Sequence, residues 1–122
     1  MSEGIPLWSP GLLTAPDSAA HARFHVHADA DAVAAAVEQI VIGGEHTDLQ
    51  VDDSRQHLRF RTKRTIWNWE MEVGVTSTPM RRGCEVQISL DVAPDRPFSP
   101  HDAEKNAAAL EQIRWQLESA VG

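Results

Sequence analysis

The chain has 122 residues, 42% hydrophobic and 24% charged, a composition that excludes a disordered polymer and suits one core. Its formal net charge of −7, from 18 acidic and 11 basic residues, argues against nucleic acid and anionic membrane as partners. Cys84 is the only cysteine, and neither a membrane-length apolar run nor a signal-peptide pattern is present, so the expected setting is the cytoplasm.

Residues 1–22 read as an N-terminal arm in which Pro6, Pro10 and Pro16 forbid a regular helix. Ile5, Leu7, Trp8, Leu12 and Leu13 are too many apolar side chains for a free tail. The arm is therefore expected to pack on the single domain of residues 23–122 or across an oligomer contact.

From Arg23 a strand begins, with Phe24 and Val26 alternating against Arg23, His25 and His27. Asp29 or Asp31 then caps a helix whose inward stripe is Val33, Val37, Ile40 and Val41, and Gly43–Gly44 stops it. Four strands follow. Leu49 and Val51 share one face, as do Leu58, Phe60 and Thr62. Trp67, Trp69, Met71, Val73 and Val75 share another, and Cys84, Val86, Ile88, Leu90 and Val92 the last. Their partners in alternation are polar, the pattern of antiparallel strands with one face in water.

A two-residue turn at Lys63–Arg64 would set Thr62 opposite Thr65, Phe60 opposite Trp67 and Leu58 opposite Trp69. Pro79 and Gly83 mark a turn around Met80, Arg81 and Arg82, and an even-length turn there would set Val75 opposite Cys84 and Met71 opposite Ile88. The same registers align Gln50, Arg59, Asn68 and Asp91 in one outer row, and Asp52, His57, Glu70 and Ser89 in the next. The last element is a helix with Ser99 as N-cap and Pro100 at its first position. Its inward stripe is Ala103, Ala107, Leu110, Ile113, Leu117 and Val121, opposed by Glu104, Glu111 and Glu118. Trp115 falls off that stripe, which points to a contact surface.

Several residues invite chemistry. His25 and His27 share a strand face near Asp29 and Asp31, a pattern for a divalent metal, but no further His or Cys completes a ligand set at fixed spacing. His57 with Glu70 offers a base and its orienting carboxylate, and Arg59 with Asp91 a second pair; both are expected on the outer face, as solvated cross-strand pairs. Cys84 is expected inward and inert. Thr62 and Thr65 are the inward polar side chains. Trp67 and Trp69 either fill the core or wall a cavity between the sheet and the last helix.

This order of elements resembles a shortened helix-grip fold, that of the START/Bet v1-like (SRPBCC) superfamily. The closest local likeness is FHVHADADAVAAAVEQI, residues 24–40, which looks like that superfamily's first strand running into a short helix. The likeness in pattern extends over about residues 23–121, with one first helix instead of two and five strands instead of about seven. It implies binding of lipids, sterols, polyketides or other apolar small molecules in a cavity under the long helix, and it carries over no catalytic residue.

The expected fold class is α+β, a curved antiparallel sheet of about five strands, in β-α-β-β-β-β-α order, packed against a long C-terminal helix. The expected function is binding of a small apolar ligand by Phe60, Trp67, Trp69, Met71, Ile88, Leu110 and Leu117, without metal or cofactor. The alternative is a non-enzymatic interaction or regulatory module that forms a homodimer through the arm, Trp8 and Trp115.

Overall fold

The computed structural model describes residues 20–63, 70–92 and 102–121. Seven elements follow one another: β1 (Ala20–Val26), α1 (Ala30–Gly43), β2 (Thr47–Val51), β3 (His57–Arg61), β4 (Met71–Pro79), β5 (Cys84–Val92) and α2 (Asp102–Val121). The strands form one antiparallel sheet in the order β1-β5-β4-β3-β2. No helix among the described residues is long and apolar enough to cross a membrane. The first strand starts at Ala20, three residues before the expected Arg23, because Ala20 and Ala22 pair with Leu90 and Ile88 while their small side chains leave little alternation to read.

Alternation places the core as expected. Phe24, Val26, Leu58, Phe60, Met71, Val73, Val75, Cys84, Val86, Ile88 and Leu90 are buried on one face, under both helices. Helix α2 packs along β1 and β5, while α1 lies against α2 and reaches β4, β3 and β2.

The registers differ from expectation. Leu58 faces Val75 and Phe60 faces Val73, and the Thr62 N–H donates to the Met71 carbonyl at 2.8 Å. Val75, Val73 and Met71 thus replace the expected partners Trp69, Trp67 and Thr65. A two-residue hairpin turn needs residues tolerant of positive φ, typically Asn-Gly, and Lys63–Arg64 supplies neither. Between β4 and β5, Val75 faces Ile88 rather than Cys84, and Met71 faces Val92 rather than Ile88. Pro79 closes the ladder opposite Cys84, and the Met80 N–H donates to the Gly83 carbonyl across the turn. Both shifts are even in residue number, so every inward side chain stays inward.

Outer-face rows change with the registers. Gln50 still faces Arg59, but the row continues through Gly74 and Ser89 to His21. Arg59 Nη2 pairs with Glu72 at 3.1 Å and Arg61 Nη2 with Glu70 at 3.5 Å. Opposite charges still neighbour one another, with other partners.

Asp29 is the N-cap of α1, its carboxylate accepting from the Ala32 N–H at 2.8 Å. Val33, Ala34, Ala36, Val37 and Val41 are buried and Ile40 half-buried, close to the expected stripe. At the helix end Gly44 is right-handed (φ −89), so its backbone does not demand glycine; a Cβ there would lie 2.4 Å from His46 Nε2. Glu45 takes the left-handed turn instead, at φ 57. On α2 the buried stripe is Asn106, Leu110, Ile113 and Leu117, whereas Ala107 is exposed. Counting back from Leu117 by helical turns lands on position 106, and the polar Asn106 had hidden that phase. Glu104, Glu111 and Glu118 are exposed as expected; Ser99 and Pro100 lie outside the described residues.

Candidate ligand site between the sheet and the C-terminal helix

Five of the seven expected ligand residues are described: Phe60 from β3, Met71 from β4, Ile88 from β5, and Leu110 and Leu117 from α2. All five belong to one buried cluster, and none is more than 6% exposed. Trp67 and Trp69 lie outside the described residues. The structure therefore brings the five together as a continuous apolar layer between sheet and helices.

Polar groups gather at the end of this layer where Thr62 and Met71 pair. Thr62 Oγ1 accepts from the Met71 N–H at 2.9 Å, so the hydroxyl is tied to the backbone it faces. The His46 ring stacks on Phe60 at 5.5 Å, and its Nδ1 accepts from the Lys63 N–H at 2.9 Å. Burial, and secondarily the Lys63 charge, push the His46 pKa down. The ring is thus held neutral with its proton on Nε2. Lys63 Nζ in turn pairs with Glu45, and that hydrogen bond and charge hold the Glu45 carboxyl below its ordinary range. Asn106 is buried on α2, and its Nδ2 donates to Asp91 Oδ1 at 3.4 Å.

Thr62 is inward as expected, Thr65 lies outside the described residues, and Asn106 and Ser77 are further buried polar side chains. Both were within reach of periodicity: Ser77 shares parity with Val73 and Val75, and Asn106 shares helical phase with Leu110 and Leu117. His46 follows Gly43–Gly44–Glu45, where no period exists to place it.

The remaining candidates separate. His25 and His27 stand on the exposed face with rings 4.9 Å apart, edge to face, and His25 Nε2 donates to the Arg82 carbonyl. No group of three His, Cys, Asp or Glu that could hold a metal ion occurs among the described residues. The expected His57–Glu70 and Arg59–Asp91 neighbours are not cross-strand partners, because the register shift changes them: His57 faces Thr76, Arg59 faces Gly74 and Asp91 faces Glu72. Cys84 is buried, and burial first, the Asp29 charge second, push its thiol pKa up, away from the reactive thiolate.

An open trough of about 840 Å³ runs over the outer face, between His21 and Arg23 on one side and His57 and Arg59 on the other. Its Arg59 and Glu72 charges are paired with each other across the strands, as suits a solvated face.

No family model matches the sequence, and no curated protein does. Solved structures match it in shape. DynU16, from the dynemicin biosynthetic locus, superposes with a TM-score of 0.60 at 18% identity, over 85% of this chain and 47% of its own. The chain thus spans about half the length of that protein. Protein MLL2253 from Mesorhizobium loti gives a TM-score of 0.58 at 11% identity, over 84% of this chain and 95% of its own. The Polyketide_cyc-like protein Cgl2372 from Corynebacterium glutamicum gives 0.50 at 15% identity, over 88% and 91%. The fold is the helix-grip fold of START/Bet v1-like domains, as the sequence resemblance implied.

Proposed function

We propose that the chain binds a small, largely apolar molecule between the sheet and α2, against Phe60, Trp67, Trp69, Met71, Ile88, Leu110 and Leu117. The observation that carries this reading is the convergence of β3, β4, β5 and both helices on one buried apolar layer, with His46 and Thr62 at one end. Apolar walls with a few placed polar groups are the ordinary build of a small-molecule site. The name polyketide-cyclase-like, borne by the Corynebacterium glutamicum protein of the same fold, is in keeping with such a ligand. A cytoplasmic setting suits the lone, buried thiol of Cys84.

Titrating intrinsic tryptophan fluorescence with a panel of fatty acids, sterols and polycyclic aromatics tests the proposal. A saturable quench or spectral shift with at least one class is expected, reported by Trp67 and Trp69. Unchanged spectra across the panel would overturn it.

Trp115 favours a second reading, a homodimeric interaction module, because its ring is 68% exposed on α2. Light scattering on the same samples separates the two readings. A dimer that persists without ligand, and is lost on deleting residues 1–19, supports the module; a monomer throughout removes it.

A further inference from the structure

Ser77 sits on the inner face of β4 and is 1% exposed. Its backbone N–H donates to the Gln56 carbonyl at 2.8 Å. Its hydroxyl has no hydrogen-bond partner among the described residues. A buried hydroxyl left unpaired is destabilising, and alanine or valine would fill the same inward position without that cost. Packing therefore does not account for the oxygen.

Its place relates it to the interior layer. Ser77 faces Val86, which faces Phe24 on β1, so the three form one inner row. Phe24 lies under the Arg114 guanidinium of α2 at 4.9 Å. The next row holds Val75 and Ile88, one of the expected ligand residues. From Met71 to Ser77 along β4 is roughly 20 Å at about 3.3 Å per residue, so the hydroxyl lies at the opposite end of the layer from Thr62 and His46.

Building on the proposed ligand site, we infer that Ser77 is the polar anchor at its far end, and that the ligand carries a hydroxyl or carbonyl oxygen on the part that enters deepest. The hydroxyl of Ser77 can both donate and accept, so either group satisfies it. A site built to meet such an oxygen discriminates against the analogue lacking it, because the protein hydroxyl is then left unpaired.

Calorimetric titration of the full chain and of Ser77→Ala with naphthalene and 2-naphthol tests this. The parent chain is expected to bind 2-naphthol about threefold to tenfold more tightly than naphthalene, the range of one net hydrogen bond. Ser77→Ala is expected to erase that preference, keep its naphthalene affinity and melt no lower than the parent. Should both proteins bind both probes with the same preference, the anchor role is refuted while the ligand site stands. If neither probe binds the parent, the ligand site itself fails for this class and the anchor falls with it.

Discussion

Replacing Gly83 by alanine is expected to cost about 2–5 kcal/mol of folding stability, among the largest losses available to a single methyl group in this chain. Gly83 closes the turn between β4 and β5 at φ +86, a left-handed conformation that costs an L-residue roughly 1–2 kcal/mol. The new Cβ would also stand 1.9 Å from the Val26 carbonyl oxygen and 3.0 Å from His27 Cα. Those are backbone atoms and cannot swing aside like the end of a flexible side chain. Val26 is held in register with Cys84, and the His25 imidazole is bonded to the Arg82 carbonyl, so the turn is clamped to the end of β1. Relief requires moving a strand end, a strain of about 1–3 kcal/mol by the usual cost of overpacking. Urea denaturation reads this as a lower midpoint with an unchanged slope. A loss under about 0.5 kcal/mol, the ordinary range for a surface substitution, would show that the turn does not abut β1 as described.

Truncating Leu117 to alanine is the second large effect, an expected loss of about 2–5 kcal/mol. Leu117 is 0% exposed, on the stripe that lays α2 along β1 and β5. Its removal leaves a hollow under a helix whose own register is fixed by Leu110 and Ile113, so little collapse can compensate. Trp115, two residues earlier, supplies the contrast. Its ring is larger but faces solvent, so Trp115→Ala is expected to stay within about 0.5 kcal/mol in the monomer. Equal losses at the two positions would mean that α2 is rotated from the described phase.

Much of this architecture was legible because burial follows a period that the residues display. Phe24 and Val26, Leu58 and Phe60, Met71 through Val75, and Cys84 through Leu90 all face the core as their alternation implies. Register was less legible, since it depends on where a turn closes. At Lys63–Arg64 no residue marks the turn type, and the true partner of Phe60 is Val73, six positions along from Trp67. The parity survived because a slip of even length preserves the face. Polar members of the core were misplaced for a related reason. Hydropathy alone steers the eye to Ala107, whereas the helical phase fixed by Leu110 and Leu117 buries Asn106 instead. Of the candidate site, the apolar wall could be read from the strands and α2. Its polar end could not, because His46 reaches Phe60 only through the left-handed turn at Glu45.

Methyl-resolved NMR of the chain titrated with 2-naphthol puts the interior site to its most direct trial. Shifts and contacts concentrated on the methyls of Met71, Ile88, Leu110 and Leu117 are the predicted result. Perturbations confined to solvent-facing groups such as Ile42 and Met80, with those four methyls unmoved, would contradict it.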